Sequence, residues 1–243
     1  MNSLKLNLNH REIYNDANFD CFRKHYAVRK ISRSTIGLLQ FAFGCKAMSL
    51  NDRDRTDLLN FINTMRSLVA LGDFEAQNLP SAGDMNKLRW DCGLESLAEQ
   101  AIADCPENPP SEIPTNGVNY RFYGRNSSSL TLRNSIRSAV LEWTSIEDVN
   151  WSTSNLFDGN PTSRNVANMF RATTTAIGCS ENRCEFSASA ACVFSQSGIR
   201  AGTLIYTSGS PCKNDNECTS YSPAFCDFGL CVNAARPTTE DPI

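Results

Sequence analysis

Histidine is nearly absent from this 243-residue sequence. The two that occur, His10 and His25, both lie within residues 1–33. The rest of the chain therefore has no imidazole to act as the base of a Ser-His or Cys-His pair, or as a zinc ligand. Without histidine, a serine nucleophile would need a lysine or a terminal amine as its base, and the sequence singles out neither. Because most hydrolase mechanisms lose their usual base, the sequence predicts that the protein is not an enzyme.

The sequence also lacks a long uncharged apolar run. No stretch approaches the ~18 residues that a membrane span needs, so a transmembrane segment is not expected. A basic surplus is missing too, since the formal net charge is −3 and gives no reason to expect nucleic acid as a partner. The charge is unevenly spread: residues 1–33 carry seven Lys/Arg and three Asp/Glu, whereas residues 34–243 carry 16 and 23. A basic front end precedes an acidic body of ordinary globular composition.

Cysteine, by contrast, is abundant. Eleven occur, and ten remain when Cys21 of the basic front end is set aside. An even set at this density predicts five disulfide bonds formed in an oxidising compartment, although spacing leaves the connectivity open. For the last four, a zinc site is the alternative, but the C-x2-C pairs typical of such sites are missing, which favours disulfides. The ten are Cys45, Cys92, Cys105, Cys179, Cys184, Cys192, Cys212, Cys218, Cys226 and Cys231.

The basic front end has the residue order of a secretory signal. Basic residues precede a short apolar run at residues 35–44, and Gly44 offers a small residue for cleavage before Cys45. The segment ahead of the run is long for a signal's charged region. This leaves three interpretations: a start codon assigned too far upstream, unrelated sequence joined on, or a disordered or cytosolic extension. We expect a mature chain that begins near Phe43 or Cys45 and contains no free thiol.

Apolar periodicity predicts helices in the first part of the body and strands in the later part. A loop rich in Pro, Asn and Gly is expected to run through Asn119. This order favours an α+β domain in which helices pack against an antiparallel sheet. The expected helices cover residues 52–71, 93–104, 130–149 and 165–172, and the expected strands cover residues 173–179, 185–195 and 202–207.

Several segments together resemble one family. The ordered set is Leu88-Arg89-Trp90-Asp91-Cys92 with Leu94-Glu95 and Ala98, then Ala176-Ile177-Gly178-Cys179, Ala191-Cys192-Val193-Phe194 and Ile205-Tyr206. Its order and spacing resemble the CAP superfamily (the SCP/TAPS domain), which groups cysteine-rich secretory proteins, venom allergens and plant pathogenesis-related proteins. The resemblance extends over about residues 43–231. The nematode activation-associated secreted proteins, which are venom allergen-like, also match Phe43-Gly44-Cys45, Arg66-Ser67-Leu68-Val69-Ala70 with Gly72, and Gly209-Ser210-Pro211-Cys212.

This resemblance implies a three-layer α-β-α sandwich with an antiparallel central sheet and a cleft, followed by a small cysteine-rich hinge segment. The hinge segment has too few apolar residues for a core, so two disulfides are expected to supply most of its order. We expect the sandwich to keep its fold without it. The expected divisions are a basic leader with a signal segment (1–44), a CAP domain (45–207), a cysteine-rich hinge module (208–232) and a polar tail (233–243).

In many relatives the cleft holds a tetrad of two histidines and two glutamates that can bind a divalent metal. By the resemblance, Ile62 and Asn165 stand where the histidines would be, and Val118 stands at one glutamate. The other glutamate position falls at Ile146, although a register slip of one would place Glu147 there. Isoleucine and valine offer no ligand atoms, so no metal cofactor is expected. We favour relaxed selection on an inherited site over a rebuilt pocket with new chemistry.

Two carboxylates near the end of the third predicted helix suggest an acid pair for glycoside hydrolysis. Glu142 and Glu147 are five residues apart and point in different directions on a helix. A solvated acidic face is therefore the better interpretation.

Two N-glycosylation sequons flank the same helix. They are Asn126-Ser127-Ser128 and Asn150-Trp151-Ser152. Because Asn150 stands next to a tryptophan that is expected to be buried, Asn126 is the favoured acceptor.

Sequence and resemblance together predict a secreted, extracellular and non-enzymatic binding protein. It would act as a nematode excretory/secretory effector on host proteins or cells, through loops and the hinge module held rigid by disulfides. The alternative is a carrier of sterol or another small lipid in an apolar groove. A metal-dependent hydrolase is a third hypothesis, which the scarcity of histidine nearly excludes. The sequence does not name the partner or the oligomeric state.

Overall fold

Helix α1 spans Asp52–Leu71, as the sequence predicts. The Asn51 side chain accepts a hydrogen bond from the Asp54 N–H (3.0 Å), and the Asp54 carboxylate accepts one from the Asn51 N–H (3.4 Å). This reciprocal capping box fixes the start of the helix. Gly72 ends it at φ 72°, in the left-handed region where glycine carries no penalty. The structure, a computed structural model, describes residues 43–46, 49–73, 79–109, 116–145 and 154–234.

The third predicted helix is interrupted at Asn134. Helix α3 (Ser129–Arg133) stops there, and helix α4 (Ser135–Thr144) begins at the next residue. The carboxylate of Glu181 causes a new start, because it accepts hydrogen bonds from the Ser135 hydroxyl (3.0 Å) and the Ile136 N–H (2.9 Å). The prediction of one helix over 130–149 was wrong at this point, and residues 146–149 lie outside the described ranges.

The remaining helices lie close to their predicted positions. Helix α2 spans Cys92–Ile102, and the Asp91 side chain caps its first turn. Helix α5 spans Pro161–Phe170, which starts it earlier than predicted. Pro161 at the first helical position and the Asn160 side chain, which accepts from the Thr162 N–H (3.0 Å), explain that earlier start.

The described strands form a mixed four-stranded sheet in the order β1-β3-β4-β2. The two-residue β1 pairs in parallel with β3, whereas the other pairs are antiparallel, so the expected all-antiparallel sheet is corrected. Strand β2 lies partly where a loop was expected. The predicted strand over 202–207 is wrong, because Leu204 makes only an isolated bridge to Leu156. The strands are β1 (Arg89–Trp90), β2 (Val118–Tyr123), β3 (Ala176–Arg183) and β4 (Ala188–Phe194).

Helices cover both faces of the sheet. On one face, α2 and β4 share an apolar cluster that includes Ala98, Ile102 and Val193. On the other face, Tyr123 of β2 contacts Glu142 of α4, and Asn119 of β2 contacts α5. Helix α1 packs on α4 and α5. These three layers confirm the α-β-α sandwich.

Helix α2 lies so close to β3 that only glycine fits beneath it. A Cβ atom on Gly178 would stand 2.1 Å from the Glu95 nitrogen and 2.7 Å from the Asp91 carbonyl oxygen. Both contacts are to backbone, which cannot swing aside. Gly178 therefore allows the close approach between helix α2 and the sheet.

All ten cysteines from Cys45 onward lie in described residues and form five disulfides. Three tie the sandwich together, and two lie within the cysteine-rich hinge segment. The zinc alternative for the last four cysteines is thereby replaced by two bonded pairs. The pairs are Cys45–Cys92, Cys105–Cys184, Cys179–Cys192, Cys212–Cys226 and Cys218–Cys231.

The hinge segment packs against the sandwich. It contains a 3-10 helix (Asp215–Glu217) and a hairpin of β5 (Phe225–Asp227) and β6 (Leu230–Val232). The Cys231 N–H donates to the Met85 carbonyl, and the Lys87 N–H donates to the Cys231 carbonyl, both at 2.9 Å. Segment and sandwich belong to one compact unit. No helix in the described part of the chain has the length and hydropathy of a membrane span.

Candidate functional site

Ile62 is fully buried on the inner face of α1. Its neighbour Asn63 donates from Nδ2 to the Leu88 carbonyl (2.9 Å) and accepts the Leu88 N–H at Oδ1 (2.8 Å). These two bonds fix α1 to the segment that enters β1. Ile62 itself presents only carbon atoms, so this position contributes packing and no ligand.

Val118 and Asn165 lie on opposite sides of the sheet. Val118 packs against the apolar cluster of α2 and β4. Asn119 points to the other face because side chains alternate along a strand. There its Nδ2 donates to the Asn165 carbonyl (2.8 Å), and its Oδ1 accepts from Asn168 Nδ2 (3.0 Å). The Val118 side chain and the helix that carries Asn165 therefore lie on opposite faces of the sheet.

The described tetrad positions do not fit a divalent metal. A divalent metal needs several oxygen, nitrogen or sulfur ligands that converge, and of the described positions only Asn165 carries a ligand atom, a single amide oxygen. Positions Ile146 and Glu147 lie outside the described residues, so the fourth ligand position stays a prediction. Within the described ranges, one group of three candidate ligands has mutually close atoms, and its members Cys212, Cys218 and Cys231 are all disulfide-bonded.

Glu142 is engaged in contacts with β2. Its Oε1 accepts from the Tyr123 hydroxyl (3.0 Å), and its Oε2 pairs with Arg121 Nε (2.9 Å). Burial and the adjacent carboxylate raise the pKa of Tyr123 well above its ordinary value. Glu142 thus joins α4 to the sheet edge, which is a structural role for the one member of the predicted carboxylate pair that the structure describes.

Arg66 is a fully buried cation that the sequence analysis did not single out as functional. Its guanidinium donates to the carbonyl oxygens of Asn86 (2.8 and 3.1 Å), Met169 (2.6 Å) and Arg171 (3.1 Å). Burial lowers the pKa of Arg66 to about 9, which leaves it charged at neutral pH. The sequence did contain a sign that Arg66 is buried: it follows Ile62 by four residues and so lies on the apolar face of α1.

A second buried charge joins the first two helices. Glu95 of α2 is fully buried and accepts from Arg55 of α1 (Nη2 to Oε1, 2.9 Å) and from Trp90 Nε1 (2.8 Å). Both partners are themselves buried. The carboxylate is therefore saturated and closed to solvent, so it braces the fold and is not placed to react.

An exposed apolar surface lies at the tip of the hinge hairpin. Phe228 is 77% exposed and adopts φ 49°, a left-handed conformation that is unusual for a bulky side chain. Ser67 of α1 donates to its carbonyl oxygen (2.6 Å). Leu71 is 42% exposed and lies beside Gly229, since a Cβ there would be 3.1 Å from Leu71 Cδ2. We call Phe228 and Leu71 the hinge-tip surface.

Fold and site together define a class: a disulfide-stapled α-β-α sandwich that carries a disulfide hairpin, with its buried charges committed to bracing the interior. The sequence places the chain within that class more narrowly. The family model described as CAP, the cysteine-rich secretory protein family, matches residues 59–194, and the chain belongs to this family.

Comparisons with individual proteins agree with this assignment. The chain is 28% identical over 195 residues to Ancylostoma secreted protein from Ancylostoma caninum, covering 78% of this chain and 45% of that protein. It therefore spans about half the length of this relative. The solved structure of Na-ASP-1 matches with a TM-score of 0.69 and 25% identity, covering 81% of this chain and 50% of that one. The structure of BmVAL-1 matches with a TM-score of 0.68 and 25% identity, covering 78% and 98%.

Proposed function

We propose that the chain is a secreted, non-enzymatic binding protein that acts on proteins or cells of another organism. The observation that carries this proposal is the state of the predicted tetrad. Ile62 and Val118 are packed into apolar surroundings, and Asn165 lies on the face opposite Val118. These residues supply neither a set of converging metal ligands nor an acid–base pair.

The disulfide framework supports an extracellular location. Five disulfides persist in oxidising compartments and are rare in the cytosol. One relative of this chain carries a name that describes it as secreted. A rigid frame also lowers the entropy lost on binding, which suits a protein that works through its surface.

The hinge-tip surface is the part we assign to the partner. A bulky residue held in a left-handed conformation costs free energy, and such strain persists where other constraints maintain it. Here the turn is fixed by the flanking disulfides Cys212–Cys226 and Cys218–Cys231 and by the bond from Ser67. Large exposed aromatic side chains are typical anchors of protein interfaces.

The test uses the full chain purified from the medium of eukaryotic cells. Immobilised protein is incubated with vertebrate plasma, and each retained protein is then purified and titrated by itself. We expect one of them to bind with 1:1 stoichiometry and to lose affinity at least tenfold when Phe228→Asn protein is used. Organic extraction of the same preparation gives the competing result: a stoichiometric sterol or fatty acid, with no protein partner, would establish a lipid carrier instead.

A further inference from the structure

The Asn126 sequon occupies an exposed turn between β2 and α3. The Ser127 N–H donates to the Gly124 carbonyl (2.9 Å), which closes the turn with Asn126 near its tip. Asn126 is exposed, so a sugar on its side-chain nitrogen would extend into solvent. The sequon's third residue, Ser128, has a separate task in the folded protein, since its Oγ accepts the Thr131 N–H (3.0 Å) and caps α3.

An exposed aromatic ring stands beside this turn. Phe186 is 50% exposed at the tip of the β3–β4 hairpin. The guanidinium carbon of Arg125 lies 4.3 Å from the centre of its ring, which places the residue next to Asn126 over the ring. The hairpin tip is fixed by the Cys105–Cys184 disulfide and by a hydrogen bond from the Cys184 N–H to the Ser187 carbonyl (2.9 Å).

We propose that Asn126 is N-glycosylated and that the first sugar of the glycan packs on the part of the Phe186 ring that the Arg125 guanidinium leaves exposed. One face of an N-acetylglucosamine ring presents C–H bonds, which are attracted to the negative face of an aromatic ring. The sugar would cover apolar surface that otherwise faces water. This proposal rests on the proposed secretion, because the modification is made only in the secretory pathway.

The first experiment locates the glycan. The full chain, preceded by a cleavable secretion signal, is expressed in human cells, and the secreted protein is treated with peptide N-glycosidase in heavy-oxygen water. We expect Asn126 to be converted to labelled aspartate. Asn126→Gln and Ser128→Asp should both abolish the label at this position, although aspartate keeps the cap of α3. Ser128→Thr should retain it. Secreted protein with an unmodified Asn126 would overturn the proposal.

The second experiment tests the contact with Phe186, in an Asn150→Gln background that removes the other sequon. The protein is made in human cells treated with kifunensine, which keeps the glycan in the high-mannose form that endoglycosidase H cleaves. Endoglycosidase H then leaves the first sugar on the protein, whereas peptide N-glycosidase removes it. We expect the melting temperature to stay unchanged after endoglycosidase H and to fall by about 2 °C after peptide N-glycosidase. In Phe186→Ser protein the two treatments should give equal melting temperatures. An equal fall with and without the ring would show that the sugar does not pack on Phe186.

A parallel expression without the added signal separates this proposal from the proposed secretion. If the chain expressed without the added signal stays inside the cell, the proposal that its own sequence directs secretion is wrong. The glycosylation result from the signal-bearing arm stands or falls independently.

Discussion

At the scale of single residues, a few buried polar groups join the layers of this protein. Arg66 connects α1 with the carboxyl-terminal end of α5, and Glu95 connects α2 with α1. Buried Tyr123 connects β2 with α4 through the partly exposed carboxylate of Glu142. Where both partners are buried, as for Arg55 and Glu95, removing one leaves the other buried without its bond.

Tyr123→Phe tests the link between β2 and α4. At pH 7 the variant loses the bond to Glu142, and we expect it to be less stable by about 1–2 kcal/mol. The pH dependence of its stability should also differ from that of the parent protein. The folded-state pKa of Tyr123 is raised by burial and by Glu142, so above a pH of about 10 the unfolded state releases the proton first and the native protein loses stability.

The variant has no proton to release there, so its stability should fall less between neutral and alkaline pH. Urea unfolding of both proteins at pH 7 and at about pH 10.5 measures this difference. Tyr221→Phe is the matched control. Parallel losses for the parent and Tyr123→Phe would show that Tyr123 does not carry the alkaline destabilisation.

At the scale of elements, backbone approach and turn geometry decide what the chain tolerates. Helix α2 rests directly on β3 at Gly178, and the hinge hairpin turns through Phe228 and Gly229, both at positive φ. Substitutions at these two positions should have opposite effects on stability. Gly178 has no room for a side chain, whereas Phe228 carries a side chain that its backbone conformation disfavours.

Gly178→Ala should be strongly destabilising. The added Cβ would meet the Glu95 backbone at 2.1 Å, and α2 can only relieve that by moving away from the sheet. We expect a loss of about 3 kcal/mol or more, measured by chemical unfolding. Gly198→Ala is the control, because its nearest contact is 4.0 Å away, and it should be close to neutral. Equal effects of the two variants would contradict the close packing.

Phe228→Asn should stabilise the protein. Asparagine adopts the left-handed conformation more readily than phenylalanine, and the change removes an exposed ring. We expect a gain of about 1 kcal/mol, seen as a higher melting temperature. A lower melting temperature would mean that the ring contributes to folding and is not held there at a cost.

The sequence predicted some elements better than others for identifiable reasons. Helix α1 combines a clear apolar period with its own caps at Asn51 and Gly72, so its limits were predictable. The break at Asn134 depends on Glu181, which is distant in the chain and reaches α4 only in the folded state. Strand β2 is polar on one face and begins beside a glycine, so the sequence at its start has the pattern of a loop. Local patterns cannot supply such long-range contacts.

At the scale of the whole molecule, the sandwich and the hinge segment share a boundary that can be tested. Backbone bonds to Met85 and Lys87 hold the segment in place, and the Lys87 ammonium pairs with Asp227. The two disulfides of the segment close within it, so its removal breaks neither pair apart. The family resemblance predicted the sandwich and the hinge, but not how the hinge packs.

A chain ending at Ser208 should therefore keep cooperative unfolding and its helix and sheet signal by circular dichroism. Its melting temperature should fall, because Leu230 no longer packs and three backbone bonds to the sandwich are lost. If the shortened protein is molten or aggregates, the hinge segment is part of the main core, and the boundary at residue 208 is misplaced.

The candidate site was only partly predictable. Ile62 was expected on the inner face of α1 and lies there, fully buried. The face on which Val118 lies was not predicted: strand alternation sends Val118 and Asn119 to opposite faces, and only Asn119 contacts the helix that carries Asn165. Assigning positions by resemblance gives the residue types but not the face on which each one lies.

Native mass spectrometry of the secreted full chain with micromolar zinc, together with its melting temperature, tests most directly the proposal that this CAP-family protein works without a metal. We predict a metal-free mass and an unchanged melting temperature, because a ligand stabilises only the state that it binds. A 1:1 zinc complex with a rise of several degrees, lost in Glu147→Gln, would contradict it and would place a rebuilt metal site in the protein.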